Sequence, residues 1–187
     1  MATKLPDSYK DLNQCLIHPL LKEAVLLYGT KEFDGDANNP VIIEWAKEVN
    51  NPIREWYRSD SSAWCALYVS VCAVRAGYQP PDGFNALRAK SFAKWGDQIA
   101  GEPILGDILV FDRAGGGHVG LYVGEDHNTY HVLGGNQRGD NNFDSVCISR
   151  LVKERLITAR RAPMNSCPKC CKRIFRAPTG LISTNEV

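Results

Sequence analysis

The chain has 187 residues, of which 44% are hydrophobic and 23% charged, and its formal net charge is +1. This length and composition are typical of one globular domain with a core of ordinary size. The near-neutral charge and the lack of an apolar run of membrane-spanning length in the sequence argue against a nucleic-acid partner and against membrane insertion.

Capping residues predict four helices in the first half of the chain. The second has the clearest signal, because Asn39 is a favoured N-cap, Pro40 fits the first turn and apolar residues recur at helical spacing. Ser61 or Ser62 can cap the third helix, and Gly77 can end it. The predicted spans are residues 18–29, a helix opened by Asn39-Pro40, residues 63–76 and residues 85–94.

Beyond Gly101 the pattern changes to short β runs separated by turns. Helices followed by about five antiparallel strands predict an α+β domain rather than a parallel-sheet fold. Past Pro163 the chain becomes polar and rich in cysteine, so we predict a domain over residues 1–163 and a tail over residues 164–187. The predicted strands cover residues 107–111, 118–124, 129–133, 145–151 and 156–161.

Cysteine usage points to reduced thiols. Seven cysteines at uneven spacing do not fit the even, regular set of a small secreted disulfide framework. Cys65 lies in the first turn of the third predicted helix, where backbone amides and the helix dipole stabilise a thiolate. Trp64 would then flank the cleft, and Asp60 and Ser62 are candidates for oxyanion or supporting roles. The alternatives are a buried core cysteine for Cys65 and helix capping for Asp60 and Ser62.

His118 is the candidate base. It follows three glycines at the mouth of a strand, which would allow close approach to a helix N-terminus; the alternative is a structural histidine. An imidazole that acts as a base needs a partner on its second ring nitrogen. Asn136, just past the end of the next predicted strand, is our first choice for that partner, and Gln137 is the alternative because a one-residue slip exchanges them.

These segments together resemble the CHAP/NlpC-like cysteine amidases and peptidases, in particular a CHAP-like subgroup common in bacteriophages. The similar segments are DSSAWCA (residues 60–66), PILGDILVF (residues 103–111), GHVGLYVG (residues 117–124) and VLGGNQ (residues 132–137), with NNP (residues 38–40) upstream. The resemblance spans roughly residues 25 to 162. It implies a papain-like fold, a Cys65–His118–Asn136 thiol mechanism without a required cofactor, and peptidoglycan as the substrate of a monomeric phage lysin.

Several alternatives to the lysin stay open. The same catalytic core serves amidase toxins of type VI secretion, and a non-catalytic wall-binding or virion structural module could keep the fold. A deubiquitinase-like enzyme or an acyltransferase is a further option. Residues 1–12 lack the apolar segment of a signal peptide. We therefore expect synthesis in a bacterial cytoplasm and delivery to the periplasm or wall by a holin, a virion or a secretion machine.

Two patterns suggest metals. Asp34 and Asp36 alternate like calcium ligands, but an EF-hand is excluded because the glycine and glutamate of that loop are missing, so a solvated turn is favoured. Cys167, Cys170 and Cys171 form one knuckle of a zinc-type site, which usually needs a second pair, for which Cys147 or Cys15 are candidates. The basic residues around this tail, including Arg173 and Arg176, are expected to be solvated.

Overall fold

The computed structural model describes residues 5–14, 18–33, 35, 37–138, 144–163, 171–179 and 182–183, and these form an α+β fold. Helices occupy the first half, and the strands of one sheet follow. None of the helices in these ranges is long and apolar enough to cross a membrane. The α-helices are α1 (Pro19–Leu26), α2 (Pro40–Val49), α3 (Asn51–Trp56) and α4 (Cys65–Arg75), and 3₁₀ helices cover Asp7–Gln14, Gly83–Leu87, Ala89–Lys94 and Lys153–Arg155.

Local capping fixes the start of α2 and of α3. The Asn39 side chain accepts a hydrogen bond from the Val41 amide at 2.9 Å, as its position before a proline predicts. Asn50 then ends α2 in an extended conformation, and its side chain accepts from the Ile53 amide at 3.0 Å. The short helix α3, which was not among the predicted helices, therefore follows α2 directly.

Two predicted helices need correction. The third begins at Cys65 rather than at residue 63, and Trp64 at its N-cap position makes no side-chain capping bond, so neither Ser61 nor Ser62 caps it. The segment predicted as a helix over residues 85–94 is two 3₁₀ helices. They are separated by Arg88, whose φ of −109° and ψ of 111° are extended and interrupt the helical backbone.

The described strands form one sheet of seven in the order β1-β6-β2-β3-β4-β5-β7. The five central strands pair antiparallel, but two edge strands of two residues each extend the sheet, and β7 pairs parallel to β5, so the sheet is mixed. The predicted count of about five is therefore corrected. The strands are β1 (Asp97–Gln98), β2 (Ile108–Arg113), β3 (Gly116–Glu125), β4 (Thr129–Arg138), β5 (Asp144–Val152), β6 (Leu156–Arg161) and β7 (Ile182–Ser183).

Helix α4 lies in the main core, against α1 and α2 and against strands β3 and β4 of the sheet. Every residue of α4 from Cys65 to Ala73 is buried. A helix that is apolar on all sides must be enclosed by other elements, which explains its central position. The enclosure also fixes where the N-terminus of α4 lies relative to the sheet.

Strand β4 continues past the two glycines at which we predicted its end. Its register with β5 shifts between Gly134 and Gln137, and Asn136 there has a φ of 54°, in the left-handed region. Asn tolerates this conformation better than most residues. Asn136 and Gln137 are therefore buried residues of a bulged strand rather than residues of a loop.

The described part of the predicted tail packs against the sheet. Phe175 forms a parallel bridge with Glu125, whose carboxylate receives ion pairs from Arg173 and Lys153. Arg176 pairs with Asp11 near the N-terminus at 2.8 Å. The expectation that these arginines are solvated was wrong, because carboxylates of the folded chain bind them.

Candidate active site

The thiol of Cys65 lies at the junction of α4 and β3. The thiol lies near the backbone of Val119, the residue after His118, and near the backbone of Ala66 and of Cys65 itself at the helix start. The residue is 4% exposed. Burial raises the pKa of the thiol, whereas the Val119 amide, the charge of Arg113 and the helix amides lower it. The net direction of the shift in the pKa is upward.

The imidazole of His118 is fully buried, and its Nε2 lies 3.0 Å from Oε1 of Gln137. The amide nitrogen of Gln137 is occupied by backbone carbonyls, of Cys147 at 2.7 Å, Val132 at 3.2 Å and Gly134 at 3.3 Å. These contacts orient the Gln137 oxygen toward the ring, so Nε2 of His118 donates the hydrogen bond. The neutral ring is then the tautomer whose Nδ1 carries the basic lone pair.

Asn136, the first choice as the partner of His118, bonds elsewhere. Its Oδ1 accepts from the Trp64 amide at 3.0 Å, and its Nδ2 donates to Asp144 at 2.8 Å and to Glu32 at 3.3 Å. The side chain thus accepts a hydrogen bond from a backbone amide at the N-terminus of α4, the helix that packs on β4. Gln137, the alternative, is the residue that the structure brings to His118, and this corrects the prediction of Asn136.

Trp64 does not line a cleft, contrary to prediction. Its side chain is fully buried and packs on Trp45, with ring centroids 5.8 Å apart. Its indole nitrogen donates to the carboxylate of Glu32. Trp64 therefore fixes the position of the segment before Cys65 from within the core.

Asp60 and Ser62 hold the segment that leads into α4. The carboxylate of Asp60 accepts from the Asn39 amide at 2.7 Å, and its own amide donates to the Asn38 side chain at 2.9 Å. The carbonyl of Ser62 accepts from the Tyr57 hydroxyl at 2.9 Å. Asp60 is therefore a buried link between loops and not a helix cap, and no hydrogen bond within the described ranges joins either side chain to Cys65.

The other buried histidines are engaged in structural contacts. His18 Nδ1 accepts from the Leu21 amide at 3.1 Å and so caps α1. The ring of His131 lies between the Tyr9 hydroxyl at 2.7 Å and the Asp126 carboxylate at 3.1 Å. Burial lowers the pKa of both rings. His118 differs from them because it adjoins Val119, whose backbone lies near the thiol of Cys65.

A pocket of about 400 Å³ lies beside the segment that precedes Cys65. No sequence pattern predicted this pocket, because its residues come from the unpredicted helix α3 and from a 3₁₀ segment predicted as α-helix. The available signal was two aromatic residues in polar surroundings, Trp56 and Phe84, which are 59% and 45% exposed. The pocket is lined by Trp56, Tyr57, Ser62, Ala63, Phe84, Leu87 and Arg88.

The candidate metal ligands are only partly described. Asp34, Asp36, Cys15, Cys167 and Cys170 lie outside the described residues. Within the described part of the chain, no group of three or more His, Cys, Asp or Glu side chains is arranged to hold a metal ion. The calcium and zinc sites therefore stay predictions.

The arrangement has the parts that nucleophilic catalysis by a thiol needs. A cysteine at a helix N-terminus can serve as a nucleophile with amides close by, and a histidine with a fixed tautomer can serve as a base. A glutamine orients that base, as a third group does in catalytic triads. The chain matches no family model and no curated protein, so the assignment of function depends on these residues.

Proposed function

We propose that this chain is a cysteine-nucleophile hydrolase that cleaves an amide bond in the peptide of bacterial peptidoglycan. The observation that carries the proposal is the position of the Cys65 thiol at the start of α4 and near the Val119 backbone, next to a His118 ring whose tautomer Gln137 sets. A cysteine with only a structural role would not need a nearby histidine whose tautomer is fixed by a buried glutamine.

The reaction begins with proton transfer. His118 Nδ1 takes the proton of the Cys65 thiol as the sulfur attacks the carbonyl carbon of the scissile amide. The hydrogen bond from Nε2 to Gln137 stabilises the resulting imidazolium. Because burial raises the pKa of Cys65, the proton leaves during attack and not before substrate binds.

The tetrahedral intermediate collapses in the next step. Amides at the start of α4 donate to the oxyanion, where the positive end of the helix dipole adds to their effect. The imidazolium of His118 protonates the leaving amine, and the carbon–nitrogen bond breaks to leave a thioester on Cys65. Water, deprotonated by His118, then attacks the thioester, and the products are a carboxylic acid and the regenerated thiol.

The choice of substrate follows from the resemblance to CHAP/NlpC-like enzymes. The motifs around Cys65 and His118 occur in the order typical of those enzymes, and the antiparallel central sheet with a buried helix against it is compatible with their papain-like fold. The proposal therefore includes a papain-like arrangement and a phage lysin as the biological setting.

The test uses purified Gram-negative peptidoglycan and three proteins: wild type, Cys65→Ala and Cys72→Ala. Cys72 lies seven residues further along the same helix and is fully buried, so its variant is the matched control. We expect wild type and Cys72→Ala to release new amino termini and Cys65→Ala to release none, with fragment masses identifying the bond. Equal release by all three would exclude Cys65 as nucleophile, and no release by wild type would favour a binding module or another substrate.

A further inference from the structure

The pocket beside the Cys65 segment is lined by two chain segments, and each of them lies close to one of the proposed catalytic residues. One wall includes Ser62 and Ala63, and Ala63 is two residues from Cys65, so their Cα atoms are at most about 7.6 Å apart. The other wall ends at Arg88. Two residues further on, the Lys90 side chain packs so closely on Gly117 that an added Cβ there would lie 2.9 Å from it, and Gly117 precedes His118.

The pocket presents an apolar surface with one cation. Trp56 and Phe84 meet edge to face, with ring centroids 5.9 Å apart and an interplanar angle of 81°, and both remain largely exposed. Exposed aromatic residues grouped in a concave site commonly contact a ligand. The hydroxyl of Tyr57 already donates a hydrogen bond to the Ser62 carbonyl. Arg88 is the one residue of the described lining with a charged side chain.

Arg88 differs from several buried or half-buried arginines of the chain in having no carboxylate partner among the described residues. Arg75, Arg161 and Arg173 each pair with a carboxylate. Arg88 is exposed, and within the described ranges its side chain forms no ion pair.

No acidic residue of the described part of the chain lines the pocket, although the charges of Asp60 and Glu32 act on the lining residue Tyr57. The group of the lining that suits an anionic ligand is the guanidinium of Arg88.

We infer that this pocket is a substrate subsite that binds a peptide residue with a free carboxylate on an aliphatic stem. Trp56 and Phe84 contact the aliphatic part, and Arg88 binds the carboxylate through its guanidinium, which suits that group geometrically. The inference rests on the proposed function, because peptidoglycan peptides carry such residues. It adds the part of the substrate that is recognised beside the scissile bond.

Binding to the Cys65→Ala protein tests the subsite without turnover. The probes are a soluble peptidoglycan tetrapeptide with free carboxylates and the same peptide with its carboxylates amidated, measured by calorimetry. We expect amidation to weaken binding about tenfold, since it removes one charge-assisted interaction. Adding Arg88→Gln should weaken binding of the free peptide about tenfold and abolish the difference between the two peptides. Trp56→Ala should weaken both peptides alike.

The matched control is Arg54→Gln. Arg54 is exposed on the same helix as Trp56 but does not line the pocket, so both affinities should be unchanged. Equal affinity for the two peptides, no binding of either, or an Arg88→Gln variant that still discriminates would overturn the subsite. Cleavage of peptidoglycan that does not depend on Arg88 would overturn the subsite alone. Arg88-dependent binding in a wild-type protein that cleaves nothing would overturn the proposed function alone.

Discussion

Opposing effects act on the thiol of Cys65. Burial raises its pKa, while the Val119 amide, the Arg113 charge and the helix amides lower it without cancelling the effect of burial. A cysteine with a lowered pKa would form an ion pair with His118 before substrate arrives. In the proposed mechanism, His118 therefore acts as a general base during the attack rather than as the partner of a preformed ion pair.

The pH dependence of alkylation tests this order of events. We expect the rate of Cys65 modification by iodoacetamide to rise with pH and to reach half its maximum above about pH 8.5, the ordinary value for a cysteine. Peptide mapping of the alkylated protein, with Cys65→Ala as the blank, gives the rate for this residue alone. A plateau of reactivity already present at pH 5 would indicate a preformed ion pair and contradict the account.

Neighbouring residues Asn136 and Gln137 have different tasks. Gln137 bonds the ring of His118, and Asn136 bonds the amide of Trp64 at the start of α4. The contact of Gln137 sets the tautomer of the proposed base, whereas the contact of Asn136 satisfies a buried backbone amide. Substitutions of the two should therefore differ in which measured property they change.

We expect Gln137→Ala to lower kcat by about 10²-fold or more, because the His118 tautomer is no longer imposed, and to alter the pH profile of kcat. Asn136→Ala should lower the free energy of unfolding by about 1–3 kcal/mol, since it leaves a buried amide unsatisfied, while the pH profile stays that of wild type. Both are assayed at a temperature where circular dichroism shows a folded protein. A changed pH profile in Asn136→Ala with an unchanged one in Gln137→Ala would reverse the assignment.

At the scale of elements, β4 approaches α4 closely at Gly135. A Cβ on Gly135 would lie 2.5 Å from Cζ3 of Trp64 and 2.7 Å from Cβ of Tyr68. Both of those residues are fully buried and cannot move aside. The small residue at Gly135 therefore sets how near the strand with Gln137 can come to the helix with Cys65.

Gly135→Ala should lower the free energy of unfolding by about 1–3 kcal/mol, the usual cost of overpacking a core. Gly116→Ala is the matched control, because an added Cβ at Gly116 on β3 meets no atom within 4 Å. Urea denaturation of both variants gives the comparison, and Gly116→Ala should differ from wild type by less than about 0.5 kcal/mol. Equal stability of the two variants would contradict this packing account.

The elements also show where local sequence signals are sufficient. Helix α2 was predictable because its cap, Asn39, is adjacent in sequence. Helix α4 begins later than predicted because the amide at its start is bonded by Asn136, 72 residues away. The identity of the His118 partner depends on a register shift between β4 and β5, which no local pattern reveals. Cys65 and His118 were proposed from the sequence, but the choice of Gln137 as the third residue required the register of the sheet.

At the scale of the whole molecule, the C-terminal segment is tied to the sheet through Glu125. This carboxylate is fully buried and bonds Arg173 at 2.5 Å, Lys153 at 2.5 Å and the Tyr122 hydroxyl at 3.0 Å. Burial alone would raise its pKa, but these hydrogen bonds lower it to about 2. The α+β class was predictable from the order of patterns, whereas these long-range ion pairs were not, since basic residues in a polar segment are usually solvated.

The lowered pKa of Glu125 has a defined consequence for acid stability. The unfolded chain binds the proton near the ordinary value of 4.5 and the folded protein only near 2, so protonation favours unfolding. The stabilisation is present above about pH 4.5 and is lost as the pH falls toward 2. We expect the free energy of unfolding of Glu125→Gln to be lower than that of wild type at pH 7. Between pH 7 and pH 3 it should fall by on the order of 2 kcal/mol less than that of wild type.

Urea denaturation at the two pH values measures both quantities. Glu154→Gln is the control, because Glu154 is exposed on the adjoining 3₁₀ helix. That variant should follow the pH dependence of wild type. If Glu125→Gln also loses as much stability as wild type between pH 7 and pH 3, the ion pairs of Glu125 do not account for acid stability.

The most direct measurement for the central proposal is detection of the thioester on Cys65. The Cys72→Ala protein is mixed with peptidoglycan, quenched with acid during the first turnover and digested with trypsin, which releases residues 59–75 as one peptide with Cys65 as its sole cysteine. The account predicts a mass increase on this peptide equal to a wall-peptide acyl group, removable by hydroxylamine. Release of wall fragments without an acyl group on Cys65 in any quenched sample would contradict it.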